Sequence, residues 1–200
     1  DEPIPADQPR SGTNFHQEFA PPEEIQPGVP YSVEDLLFRM LAYSDNRAYV
    51  LLVQHMYQGL NGEDAVNRVF RELGVINPQD IADETVSVRG YASIFRILYN
   101  GSYLDANGAE QILKWLSQST FKDGLVAGVP EGIRVAHKFG ERELMKADVH
   151  QLHDCGIVYY PENPYLLCVM TRGSDVTKLA PVVAHISKMV YEEFDSRRIE

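Results

Sequence analysis

Cysteine is scarce: Cys155 and Cys168 are the only two in 200 residues. That number excludes a disulfide-built scaffold, and the spacing excludes a cysteine-ligated metal site. Positive charge is in deficit, with a formal net charge of -11 and no Lys/Arg-rich block. Nucleic acid and anionic membrane surfaces are therefore excluded as main partners. Long apolar runs are missing. Tyr49–Val53 and Tyr165–Met170 are the longest, and both are too short to span a bilayer. No internal repeat occurs, no glycine-rich phosphate loop follows a strand-like run, and the aromatic residues are not set among basic ones. Residue 1 opens no signal peptide and is not Met, so a processed or truncated product is expected.

What remains is an ordinary globular composition, 44% hydrophobic and 24% charged. Its length suits one domain, or one domain with a tail. Residues 1–30 hold seven prolines and no helical period, which reads as an extended segment that lies on something else or stays mobile. Residues 31–200 read as the domain. Ser32 and Asp35 open a helix with Leu36, Leu37, Met40 and Leu41 on one face, ending near Ser44. Further helices are expected from Asn46 to Tyr57 (Val50, Leu51 and Val53 buried), Glu63 to Leu73, Ser87 to Tyr99 and Asp105 to Ser117.

After a loop over 119–132 the period falls to two. Ile133, Val135 and His137 alternate against Arg134, Ala136 and Lys138. Val149–Tyr160 and Tyr165–Arg172 follow as strands joined by Pro161-Glu162-Asn163-Pro164, and Lys178–Ser196 forms a helix with Leu179, Val182, Val183, Ile186, Met189, Val190 and Phe194 on its apolar side. The order predicts an α+β fold: a helical subdomain, antiparallel strands and a C-terminal covering helix. A hairpin of the last two strands brings the cysteines close. A bridge can then form, but two buried free thiols are the favoured reading. His150 and His153 fall on opposite strand faces and do not converge on a metal.

Two short segments stand apart. Tyr43-Ser44-Asp45-Asn46 joins two helices, and His137-Lys138-Phe139-Gly140 closes a strand-like run. Alone, the first is a capping turn and Lys138 a solvent-facing strand residue. Together they resemble the class A β-lactamase and penicillin-binding serine hydrolase superfamily, whose patterns are S-x-x-K, S-D-N and K-T-G. Ser32–Leu37, Leu125–Gly132 and Gly156-Ile157-Val158-Tyr159 extend the likeness over roughly residues 30–195. The resemblance implies that Ser44 relays a proton and that Lys138 supplies positive charge beside it. It gives Asn46 the substrate amide and Asp45 the pinning of the turn. Gly140 lines the substrate strand, and the N–H of Glu141 is one oxyanion donor. It implies no cofactor and no metal.

Three departures qualify the likeness. No S-x-x-K precedes Ser44. The only match, Ser119-Thr120-Phe121-Lys122, follows it and reads as a decoy. Phe139 stands where the family has a hydroxyl for the substrate carboxylate, leaving His137 or Arg142 as substitutes. The loop after Gly74 lacks the Glu-x-x-Leu-Asn segment, Glu84 being the nearest carboxylate.

A partial β-lactamase/transpeptidase-like fold is therefore expected, without the N-terminal strands and nucleophile helix. The expected function is acyl transfer on amide or peptide bonds of cell-wall-like substrates, outside the cytoplasm, with the nucleophile upstream of this chain. The alternative is an inactive relative serving as a binding or scaffolding module. A partner segment, a swapped chain or a homo-oligomer is expected to cover the exposed sheet edge.

Overall fold

The computed structural model describes residues 3–6, 17–59, 68–69, 71–74, 86–144 and 149–198. The fold is α+β, as the order of patterns predicts, and the chain divides into two compact units, Asp1–Thr85 and Val86–Glu200.

In the first unit, Ser32 caps α1 (Val33–Ala42) by accepting from the Asp35 N–H at 3.0 Å. The helix α2 (Asn46–Gly59) follows after three residues. The N-terminal segment lies on this pair: β1 (Ile4–Pro5) pairs antiparallel with β2 (Pro30–Tyr31). Ile4, Ala6 and Ile25 are buried with Leu36, Ala48, Leu51 and Leu52. The inward pair of α2 is thus Leu51 and Leu52, while Val50 and Val53 are half-buried. Of the helix expected over 63–73, residues 68–69 and 71–73 are helical, and the others lie outside the described residues, as does Glu84.

The second unit contains α3 (Val88–Tyr99) and α4 (Ala106–Leu116), capped by Ser87 and Asp105. A 3-10 turn (Leu125–Gly128) lies in the next loop. Then come β3 (Val135–Leu144), β4 (Val149–Val158), β5 (Tyr165–Gly173) and α5 (Val176–Arg198). The sheet is an antiparallel meander in the order β3-β4-β5. One face, with Val135, Val158, Tyr165 and Val169, packs on Leu125 and on Val183 of α5. Gly128 lets the 3-10 turn touch α5 closely: a Cβ there would stand 2.4 Å from the Ala184 carbonyl. The Ser187 hydroxyl donates to the Leu125 carbonyl at 2.8 Å beside it.

Three expectations are corrected. First, β3 does not end near Lys138. Its ladder with β4 continues to Leu144↔Val149, so backbone pairing carries the strand through Glu141, Arg142 and Glu143, whose charges hide the alternation. Second, the cysteines are not free. Cys155 and Cys168 are direct cross-strand partners, 3.9 Å apart at Cα, and their sulfurs are bonded. Third, Val182 and Met189 of α5 face solvent, 47% and 57% exposed. They are seven residues apart and lie about 100° round the helix from the buried stripe through Val183 and Val190.

Candidate functional site

The Ser44 turn is built from both flanking helices. The Arg39 carbonyl accepts from the N–H of Tyr43 and of Asp45, closing α1. Ser44 takes φ = 55°, the left-handed region. Glycine is the inexpensive residue there, and a side chain costs about 1–2 kcal/mol. Asp45 is buried and caps α2: its Oδ1 accepts from the N–H groups of Arg47 at 2.9 Å and Ala48 at 3.2 Å. Its Oδ2 lies 3.5 Å from the buried Arg39 guanidinium, which donates to the Glu23 carbonyl at 3.0 Å. Gln17 closes the turn from outside, its amide donating to the Ser44 carbonyl at 3.0 Å and accepting from the Asn46 N–H at 3.3 Å. Ser44 is half-buried and Asn46 exposed. The turn is therefore fixed by Asp45 and Gln17, and nothing in its backbone conformation calls for a serine side chain.

Lys138, Gly140 and Glu141 lie along β3. Register and strand alternation put Lys138 and Gly140 on one sheet face with Cys155 and His153 of β4. They put His137 and Phe139 on the other with Asp154 and Gly156. The half-buried Lys138 donates from Nζ to the Phe139 carbonyl at 2.6 Å. Burial pulls its ammonium down to about 8, while Asp154 and then Glu141 act in the opposite sense. On α3, Tyr91 donates its hydroxyl to the Lys138 carbonyl at 2.7 Å, and burial, then Asp154, pushes that phenol's ionisation upward.

Behind this strip sits a group that sequence reasoning did not assemble. His137 and Asp154 are both 0% exposed, with His137 Nδ1 2.8 Å from Asp154 Oδ1. The Leu125 N–H donates to Asp154 Oδ2 at 2.9 Å. Phe139 is buried and stacks on Phe121 at 4.4 Å between ring centroids. His137 is thus sealed from solvent and bonded to Asp154, so the suggestion that it receives a substrate carboxylate is withdrawn. A signal was present: His137 sits in the apolar phase of its strand, where a polar residue must find a partner.

Glycines separate packing from function. A Cβ on Gly124 would stand 2.3 Å from Asp154 Oδ2, and one on Gly156 2.4 Å from the His137 Cβ, so both glycines make room for the pair. A Cβ on Gly140 meets nothing within 4 Å among the described residues, and its φ is not in the left-handed region. Among the described residues, neither packing nor backbone conformation requires glycine at 140. Glycine there leaves one face of the strand open beside Lys138.

The S-x-x-K match at Ser119 offers no site. Ser119 is 1% exposed, whereas Lys122 is on the surface. His150 pairs across from Glu143 and Gly173, and His153 from Gly140 and Met170, which puts the two rings on opposite faces. Burial holds His153 below its usual range. Of the expected site residues, Ser44 and Asn46 share the turn of the first unit. Lys138, Gly140 and Glu141 share the strand of the second.

A family model described as a beta-lactamase enzyme family matches residues 7–194. The extended-spectrum beta-lactamase PER-1 of Pseudomonas aeruginosa is 23% identical over 193 residues, covering 87% of this chain. The chain spans 61% of that relative's length. Among solved structures, PBP-A is similar with a TM-score of 0.71 and 22% identity, over 98% of this chain and 72% of that one. A class A beta-lactamase representative from Bacteroides cellulosilyticus gives 0.70 and 22%, over 84% and 65%. These likenesses carry the fold.

Proposed function

The chain belongs to the beta-lactamase enzyme family, and on that premise we propose that it carries the proton-relay and lysine elements of a serine hydrolase. The reaction is acyl transfer on amide or peptide bonds of cell-wall-like substrates. The observation that carries this reading is the open strand face at Gly140 beside a desolvated lysine. Ser44 relays the proton, and its strained backbone fits a side chain retained for chemistry. Lys138 supplies charge, Asn46 holds the substrate amide, and the Glu141 N–H serves the oxyanion. The nucleophilic serine comes from upstream sequence, since the only S-x-x-K serine here is buried.

The joined cysteines fit an oxidising, extracytoplasmic compartment. No helix among the described residues is long and apolar enough to cross a membrane. A partner strand, from a further segment or a second copy, covers the outer edge of the sheet. The second reading, an inactive binding module, draws on Phe139, whose ring stacks on Phe121 and offers no hydroxyl to a substrate.

The test is intact mass after incubation with a reporter penicillin, on this chain and on a longer form carrying the upstream sequence. An adduct is expected on the longer form alone. Gly140→Val should lower its rate on the order of 100-fold by displacing the acyl donor, with no loss of stability to urea. Ser44→Ala and Lys138→Ala should be strongly non-additive, as for residues that act in one step. An adduct on Ser119 would overturn the placement of the nucleophile. No adduct on either form would favour the binding module.

A further inference from the structure

We propose that Gln17 is a positioning residue for Ser44 and Asn46: its side-chain amide, brought in by the N-terminal segment, bridges the Ser44 carbonyl and the Asn46 N–H and so fixes the directions in which those two side chains leave the turn. The inference rests on the Ser44 turn serving acyl transfer, and it adds to that reading a residue 27 positions away that no part of the S-D-N pattern contains.

Three observations carry it. Two peptide planes flank Asp45, and each is held at both ends. In the plane between Ser44 and Asp45, the Asp45 N–H donates to the Arg39 carbonyl at 3.2 Å, and the Ser44 carbonyl accepts from Gln17 Nε2 at 3.0 Å. In the plane between Asp45 and Asn46, the Asp45 carbonyl accepts from the Tyr49 N–H at 3.1 Å, and the Asn46 N–H donates to Gln17 Oε1 at 3.3 Å. One amide thus completes both planes. The second observation is how the first N–H groups of α2 are shared out. A capping side chain serves the second and third of them, and Asp45 does so at Arg47 and Ala48. The first, that of Asn46, donates to Gln17 instead. Finally, Ser44 has φ = 55°, a conformation that a side-chain-bearing residue keeps only where its surroundings over-determine it, and Gln17 supplies part of that constraint.

The segment that carries Gln17 is anchored to both helices that meet at the turn. Arg39 of α1 donates to the Glu23 carbonyl at 3.0 Å, and Arg47 of α2 donates to the Ile25 carbonyl at 3.2 Å, where the Ile25 side chain is buried. Pro21 and Pro22 fix two φ angles between Gln17 and these anchors, which reduces the chain freedom lost when the amide docks. The residue type matters as well. A carboxamide donates at one end and accepts at the other. An ionised Glu only accepts and would set a lone pair against the Ser44 carbonyl, while Met has a similar length and neither function.

The experiment pairs NMR of this chain with penicillin acylation of the longer form. In Gln17→Met the Ser44 carbonyl-carbon and Asn46 amide-proton signals should move upfield, while the Arg47 and Ala48 amides, held by Asp45, keep their positions. Acylation of the longer Q17M form should slow on the order of tenfold, with its urea midpoint nearly unchanged. Gln17→Glu should slow acylation likewise at neutral pH. It should recover relative to wild type as the pH falls through the carboxylate range, because a protonated Glu regains a hydrogen for the Ser44 carbonyl. Unmoved Ser44 and Asn46 signals in Q17M overturn the proposal. Shifts of the Arg47 and Ala48 amides as large as that of Asn46 also overturn it, since they mark a general loosening of the turn. A Q17E deficit that is the same at every pH assigns the effect to packing and overturns it too. If wild type is acylated and Q17M equally so, this proposal alone falls. If wild type itself is not acylated, the hydrolase reading falls and takes this one with it.

Discussion

At the Ser44 turn the hydrogen bonds run through backbone groups, the buried Asp45 carboxylate on one side and the Gln17 amide on the other. At the Lys138 strand they run through a carboxylate sealed from water. Gln17 and Asp45 hold the first from either side, and the second is held from behind by His137, Asp154 and the Leu125 N–H. Bonds lost on the Gln17 side of the turn, where Asn46 is exposed, are replaced by water, so their cost is small. A buried carboxylate deprived of its partner, or a partner deprived of it, has no such recourse. The same loss of activity therefore means different things at the two places. At the turn it reports chemistry, and behind the strand it reports architecture as well.

The comparison breaks most visibly when each anchor is removed. Asp154→Ala strands the Leu125 N–H and the buried imidazole and is expected to cost about 3–5 kcal/mol in urea unfolding. Asp45→Ala removes a helix cap and the carboxylate 3.5 Å from the buried Arg39 guanidinium, which keeps its bond to the Glu23 carbonyl, for about 1–2 kcal/mol. A D45A loss as large as that of D154A would remove the distinction between the two sites. A smaller effect of opposite sign comes from Ser44→Gly. Relief of the left-handed backbone should raise stability by about 1 kcal/mol while acyl transfer is lost. Destabilisation by S44G would show the hydroxyl to be structural.

The last effect is a slope. Lys138 has an ordinary value of 10.5 and falls to about 8 when folded. Between those values the unfolded chain binds the proton that the folded chain has released, so stability should rise with pH across that window. It should stay flat on this account below it, and Lys138→Met should abolish the slope. A wild-type chain with no slope over that range would deny that the ammonium is desolvated.

Much of this was legible because it is local. Ser32, Ser87 and Asp105 announce their helices through caps that need only three residues. The strand pattern and the covering helix follow from periodicity. What was not legible depends on register. The Cys155–Cys168 bond requires two strands aligned to the residue. His137 and Asp154 are seventeen positions apart and meet diagonally across a ladder that the charged Glu141-Arg142-Glu143 stretch conceals. Ser44's backbone strain has no signature in three polar residues that suit any turn.

The two glycines behind the strand carry an evolutionary consequence. Gly124 and Gly156 each leave the volume that a methyl group would need, one against the Asp154 carboxylate and one against the His137 Cβ. A mutational path that keeps the pair cannot admit alanine at either glycine without shifting its neighbours. A path that abandons the pair must replace a buried acid and a buried imidazole before the vacated space can be filled. Substitution at 124 is thus coupled to 154 and substitution at 156 to 137, and the hydrogen bond between His137 and Asp154 joins the two couplings.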